Sequence, residues 1–314
     1  MTDERVVAVV VTWNRRELLA ESLAAVAGQT IAPDAVIVVD NASDDGTAAM
    51  VADRFPDVEL IRATHNTGGA GGFAIGLSAA LADRGRRREG GTVWLMDDDT
   101  VPRPDALHAL LDARRRYPGV APALVASKVV WTDGRDHPMN TPRVKPGVGA
   151  AERSAAEMVG CLPVRSASFV SVLVDASVVR ERGLPVADYF LWNDDFEFTT
   201  RIIRGGRALS CPASVVVHKT RTFGSTDADP GERFFYEVRN KTWLFGRSRG
   251  LRPAEKVMYA GSTARRWART IARSHDRRTL LYGLGRGVVA GVTRRPRDTK
   301  RLIDEATGSG GQDG

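Results

Sequence analysis

The chain carries three consecutive aspartates, Asp97, Asp98 and Asp99, directly after the apolar run Val93 to Met96, and the next Lys or Arg is Arg103. Adjacent carboxylates repel, so such a run is either a solvated turn or a site for a positive group that the sequence does not itself supply. Asp97 and Asp99 are two residues apart; if the strand continues through them, they point to one face. Two carboxylates on one face can share a divalent cation, and hard oxygen ligands favour Mg²⁺ or Mn²⁺. Such an ion can neutralise a diphosphate.

A second acidic cluster, Trp192, Asn193, Asp194, Asp195 and Glu197, is set among aromatic and aliphatic residues. Carboxylates in partly apolar surroundings have raised pKa values, as a general base working near neutrality requires. The plainer alternative is that Asp194 or Asp195 caps the helix that follows. His218, after Val215 to Val217, stands at a predicted strand end as a possible third metal ligand; a lone histidine there is otherwise a surface or core hydrogen-bonder. Gly68, Gly69, Gly71 and Gly72 open a helix, where backbone N–H groups can approach phosphate, or simply form a close strand–helix turn. Their spacing is neither the Walker pattern nor G-x-G-x-x-G.

The elements around these residues alternate. Strands are predicted at Val6–Val11, around Val36–Asp40, around Val58–Arg62 and at Thr92–Asp99, each followed by a helical pattern. The first helix would be capped by Asn14 with Glu17 three residues on. This alternation predicts an α/β fold with a mostly parallel sheet and helices on both faces. In such sheets ligands bind beyond the carboxyl ends of the strands. The polar stretches Thr12–Arg15, Asp40–Asp45, His65–Gly72 and Asp97–Asp99 all fall there. After Pro104 comes a further helix, a strand, and an irregular segment from Thr132 rich in Pro, Gly and charge, whose length predicts a functional or mobile loop.

Composition sets bounds. Hydrophobic residues make up 43% and charged residues 26% of 314, which is ordinary globular usage and predicts a folded chain. Cys161 and Cys211 have no metal-ligand or disulfide-framework spacing, and the start lacks a secretory leader; a reducing cytoplasm is expected. The net charge of +7 admits nucleic acid or anionic lipid. The predicted rim is acidic, however, which argues against nucleic acid. The excess positive charge lies between Arg265 and Arg301, where only Asp276 and Asp298 are acidic.

In order, "VVVTWNR", "VIVVDNASDDGT", "NTGGAGGFAIG", "VWLMDDD", "FLWNDDFEFTTRIIRGG" and "VVVHK" resemble the family 2 glycosyltransferases of the GT-A fold over about residues 5 to 245. The glycine run, the triple aspartate and "NDDFE" are most similar to the galactofuranosyl- and rhamnosyltransferase branch, especially the actinobacterial enzymes that begin galactan on a polyprenyl-linked acceptor. The resemblance implies an inverting transfer from a nucleotide diphosphate donor, UDP-galactofuranose or alternatively dTDP-rhamnose, to a glycolipid or polyprenyl-linked acceptor. It implies Asp195 as catalytic base, with Trp192, Asp194 and Glu197 orienting it or binding acceptor. Thr12, Arg15, Asp40, Asn66, Gly69, Asp97 and Asp98 would meet the donor. Asp97, Asp99 and His218 would hold Mn²⁺ or Mg²⁺. The chain departs from the processive synthases, because no Gln-x-x-Arg-Trp follows His218 and "RRW" at Arg265–Trp267 lacks the glutamine. All of Asp97, Asp99 and Asp195 are present, which weighs against a non-catalytic sugar-nucleotide binder.

The expected organisation is a GT-A catalytic domain over 1–245, a basic helical extension over 246–303 and a disordered tail over 304–314. Leu280, Leu281, Tyr282, Leu284, Val288, Val289 and Val292 lie among arginines in the extension. Such a helix lies on an anionic membrane, or packs on the catalytic domain or an oligomer interface. With a lipid-linked acceptor, the expected location is peripheral, on the inner face of the cell membrane.

Overall fold

The structure, a computed structural model, describes residues 4–82, 91–221, 223 and 229–309. Its strands are β1 (Arg5–Thr12), β2 (Ala35–Asp40), β3 (Glu59–Arg62), β4 (Gly91–Asp97), β5 (Thr100–Pro102), β6 (Leu124–Val130), β7 (Arg143–Val144), β8 (Leu162–Ser166), β9 (Ser171–Asp175) and β10 (Ala208–His218). Its helices are α1 (Arg16–Ala27), α2 (Thr47–Arg54), α3 (Gly68–Ala82), α4 (Ala106–Arg116), α5 (Ala150–Met158), α6 (Ala176–Arg182), α7 (Asp194–Ile202), α8 (Phe234–Arg247), α9 (Pro253–Arg273), α10 (Arg277–Thr293) and α11 (Thr299–Thr307).

The strands form one sheet in the order β3-β2-β1-β4-β9-β6-β10-β8-β7, with β5 also paired to β10. The half from β3 to β4 is parallel; β9 runs against both β4 and β6, and β6 is parallel to β10. This is the mixed but mostly parallel sheet that the strand–helix alternation predicts. Successive residues of β1 serve opposite faces, as the two-residue period requires. Val7, Val9 and Val11 join Phe73 and Leu77 of α3, whereas Val6, Ala8 and Val10 join Leu19 and Leu23 of α1 and Leu107 and Leu110 of α4. Both faces of the central strands are thereby buried, which is why their sequence reads as continuous apolar runs.

Three local expectations are corrected. Asn14 does not cap α1: its φ is 51°, and it bonds the β2–α2 loop through Ser43 Oγ and Asp44 N, leaving Arg15 at the cap position with no side-chain cap. β4 ends at Asp97, so Asp97 and Asp99 do not share a face of a continuing strand; the chain turns at Asp98–Asp99 and returns as β5. The tail expected to be disordered from residue 304 is helical to Thr307. Ala306 is buried there, and its carbonyl accepts the Thr64 N–H at 2.8 Å. The rest of that expectation, residues 310–314, lies outside the described residues.

Beyond the sheet, α8 and α10 pack at close range. A Cβ at Gly287 would lie 2.7 Å from Val238 Cβ, and one at Gly291 2.4 Å from Thr242 Cβ, so the crossing requires glycine at these two positions of α10. No helix among the described residues is long and apolar enough to cross a membrane.

Candidate active site

The turn after β4 brings the first acidic cluster to β10. β5 pairs antiparallel with the end of β10, Thr100 opposite His218, and Lys219 N–H donates to the Asp99 carbonyl at 2.8 Å. In consequence, one ligand atom each from Asp97, Asp99 and His218 lies within 4.8 Å of the others. His218 Nε2 is 3.0 Å from Asp99 Oδ1, yet that oxygen has no aligned hydrogen-bond donor. At this spacing the two atoms are close enough to serve one ion. His218 is oriented from behind: Asn140 donates its amide to Ser168 Oγ and presents Oδ1 to His218 Nδ1 at 2.9 Å. The Nδ1–H tautomer follows, leaving the Nε2 lone pair for a metal.

The middle aspartate does something else. Asp98 Oδ2 accepts from Thr12 Oγ1 at 2.9 Å and from Trp13 N–H at 3.3 Å, and Oδ1 accepts from Arg15 at 3.0 Å. Arg15 also reaches Asp99 Oδ2 at 2.7 Å. Part of the positive charge missing near residue 97 thus comes from Arg15, at the cap position of α1. Thr12, Arg15 and Asp98, read as donor-binding residues, are bonded among themselves and tie β1 to the turn.

The charges are poised accordingly. Burial, then the neighbouring Asp99 carboxylate, pushes Asp97 up to about 7. Burial raises Asp98 to about 6 against the pull of Arg15. Burial would also raise Asp99, but His218 and Arg15 outweigh it and hold that carboxyl below its ordinary value. His218 is raised: burial opposes the charged ring, and Asp99 and Asp97 prevail. Two crowded carboxylates, an unbonded buried oxygen and an oriented imidazole fit a hard divalent cation.

The second cluster reaches the same rim by a strained path. Phe190, Trp192 and Asn193 all have positive φ, at 62°, 64° and 65°, and α7 starts immediately after them. Gly68, at φ +70°, allows this loop to approach; a Cβ there would stand 2.0 Å from the Phe190 carbonyl oxygen. At Gly69 the nearest atom to such a Cβ would be Asp194 Oδ2, at 4.0 Å. The glycine run therefore seats the loop and leaves space beside Asp194. Asn66 Oδ1 accepts the Gly68 N–H at 2.7 Å and so starts the turn.

Asp195 is half-buried and accepts the Phe196 N–H at 2.6 Å. Burial raises its pKa, against that N–H, Lys241 and Arg143. Asp194 is raised well above the carboxylate range by burial and then by Asp195, with Asp97 contributing. The two acidic centres thus feel one another. Trp192 is half-buried on the same loop.

Glu197 is a correction. It is buried, paired with Arg201 at 2.9 Å and with Ser248 Oγ at 2.8 Å, and so braces α7 instead of orienting the base or meeting an acceptor. Two residues along a helix is about 200° of rotation, which turns Glu197 away from Asp195. Asp40 is fully buried. Its Oδ1 accepts the Ser43 N–H at 2.9 Å, while Oδ2 has no hydrogen bond and lies 3.7 Å from Arg62 Nε.

Residues of α8 and of the irregular segment complete the site, unassigned by sequence reasoning. Asn240 Nδ2 lies within 2.9 Å of the carbonyls of Tyr189, Leu191 and Trp192. Glu237 holds Asn193 Nδ2 at 2.7 Å and is itself held by Arg266 and Trp267. Lys241 is buried, with Nζ 4.6 Å from the centre of the Phe196 ring; burial lowers its pKa to about 8 against the pull of Glu237. The Arg143 guanidinium lies 5.7 Å from the centre of the same ring. The available signal was a run of polar residues, Asn240 and Lys241, at helical positions between buried Val238 and Leu244.

Residues 7–161 match the sequence profile of Glycosyl transferase family 2. The chain is 30% identical over 266 residues to the galactofuranosyltransferase GlfT1 of Mycolicibacterium smegmatis, covering 79% of this chain and 85% of that one. A shorter match, 32% over 117 residues, covers 35% of this chain and 37% of the N-acetylglucosaminyl-diphospho-decaprenol L-rhamnosyltransferase of Mycobacterium tuberculosis. Among solved structures, S. aureus TarS 1–349 in complex with UDP-GlcNAc superposes with a TM-score of 0.62 at 15% identity, over 95% of this chain and 82% of that one. At that identity the likeness is one of fold.

Proposed function

The chain belongs to glycosyl transferase family 2, and from that premise we propose an inverting, metal-dependent transfer of galactofuranose from UDP-galactofuranose to a hydroxyl of a lipid-linked glycan. The setting would be the synthesis of a cell-wall or surface polysaccharide. The observation that carries this reading is the Asp97, Asp99 and His218 group, whose ligand atoms lie within 4.8 Å of one another as a shared cation requires; the acidic pair Asp194–Asp195, beside the space left at Gly69, supports it.

Mn²⁺ or Mg²⁺ held by Asp97, Asp99 and His218 would supply the positive charge that a departing diphosphate needs. Asp195, raised by burial, takes the proton of the acceptor hydroxyl. That oxygen forms its bond to the anomeric carbon from the face opposite the diphosphate while the old bond to the phosphate oxygen breaks, which inverts the centre. Arg15, already spanning Asp98 and Asp99, keeps the turn fixed as charge moves. The bare Gly69 leaves room for the donor beside Asp194.

The similarity to GlfT1 supports galactofuranose as the donor sugar. The shorter match to the rhamnosyltransferase keeps dTDP-rhamnose as the second reading. The test is a thermal-shift screen of UDP, dTDP and GDP with and without Mn²⁺, on wild type and Asp99→Ala. We expect UDP with Mn²⁺ to raise the melting temperature, and the increment to vanish in the variant. A preference for dTDP moves the substrate to rhamnose; no nucleotide response from folded protein would sink the transferase reading.

A further inference from the structure

We propose that the outward face of α10 is a bilayer-docking surface that seats this chain on anionic lipid, with the helix axis in the membrane plane. The inner face of α10 is already committed, with Leu280, Gly283, Gly287, Ala290 and Gly291 buried against α8. On the outer face, Leu281, Tyr282, Val288, Val289 and Val292 are exposed at 55%, 66%, 40%, 61% and 62%. At 100° per residue these five positions and Gly285 fall within an arc of about 120°. A helix that is apolar on both faces but covered on only one leaves the second for another apolar phase.

Charge identifies that phase. Residues 277–297 contain six arginines and no acidic residue. Arg278 precedes the apolar stripe, Arg294 and Arg295 follow it, and Arg286 flanks it with its guanidinium 5.3 Å from the Tyr282 ring. Against a second copy across a two-fold axis, those arginines would face arginines. Against an anionic bilayer, they meet phosphate while the stripe enters the acyl boundary. From residue 281 to 292 the stripe runs about 16 Å, roughly half a hydrocarbon core, so it suits lying in the interface rather than spanning it. The inference deepens the lipid-linked acceptor in the functional reading but rests on α10 alone.

The test uses the full chain with vesicles of phosphatidylcholine, alone or mixed with phosphatidylglycerol, in a sedimentation assay at low and high salt. We expect binding to the mixed vesicles, little to the neutral ones, and weakening by salt. The double variant Leu281→Asp/Val289→Asp should lose more than about tenfold in affinity, and Arg278→Gln or Arg294→Gln about fivefold each. Both should keep the UDP–Mn²⁺ thermal increment, so failure here is distinguishable from failure of the transferase reading. Tyr282→Trp, in an otherwise native chain, should shift its emission to the blue on mixed vesicles. Wild type that ignores mixed vesicles, or tryptophan emission that does not move, overturns the proposal. A dimer by light scattering that Leu281→Asp/Val289→Asp dissolves also overturns it and assigns the face to a second copy.

Discussion

The two acidic centres reach one rim by opposite means. The metal-type centre is fixed by backbone register: β5 folds back on β10, and the Thr12, Arg15 and Asp98 network locks the turn. The centre around Asp195 sits at the end of a loop with three left-handed non-glycine residues, a conformation costing about 1–3 kcal/mol for each. That loop is held by side chains from α8, a helix at the other end of the catalytic region. One centre is positioned by topology, the other by a brace. The second should therefore be sensitive to substitutions that touch neither donor nor metal.

The largest expected effect separates chemistry from binding. Asp195→Asn removes the proton acceptor but keeps the shape, so kcat should fall about a thousandfold while UDP and Mn²⁺ still raise the melting temperature as in wild type. Asp99→Ala should do the reverse to nucleotide binding. Single-turnover kinetics and thermal shifts on the two variants check the contrast, and an Asp195→Asn protein with lost nucleotide binding would merge the two centres into one.

The same contrast explains what was legible in the sequence. Periodicity showed β1, β2 and β4 because those strands are buried over most of their length, whereas the short edge strand β3 has no fully buried residue; the polar groups at the strand ends were therefore visible as interruptions. It did not show that Asp98 is spent on Thr12 and Arg15, since that bond joins residues 86 and 83 positions apart. Nor did adjacency show that Glu197 turns away from Asp195; helical rotation decides that. The brace was hidden more deeply. Asn240 acts on carbonyls of Tyr189, Leu191 and Trp192, groups that every residue has and no sequence pattern marks. Asn140 likewise lies in a segment without periodicity, and only its contact with His218 reveals its part.

A variant of the brace tests the asymmetry directly. Asn240→Ala removes the donor that the carbonyls of Tyr189, Leu191 and Trp192 share, and among the described residues only Tyr189 keeps other partners, the Leu191 N–H and Arg239; this should cost about 2 kcal/mol of stability. The displaced loop should lower kcat by up to about a hundredfold. Donor KM and the Mn²⁺-dependent thermal increment should stay near wild type, because the turn at Asp97–Asp99 does not lean on α8. Equal loss of metal response and turnover would show that the two centres are mechanically one.

The smallest effect is the most specific. Lys241 lowers the Asp195 pKa, opposing the burial that raises it. Replacing Lys241 by methionine removes that opposition, so the Asp195 pKa must rise further. The base is active only when deprotonated, so the acid limb of the kcat profile should move to higher pH in Lys241→Met. Turnover should then fall severalfold on the acid side and recover toward wild type as pH rises. Lys241 itself, lowered to about 8 by burial, supplies a second sign. Its folded pKa is below the unfolded one, so wild type should gain stability as pH rises from about 8 toward 10, and the methionine variant should lack that gain. A purely structural role for Lys241 predicts a uniform drop in kcat with the acid limb unmoved, and the pH–rate profile separates the two.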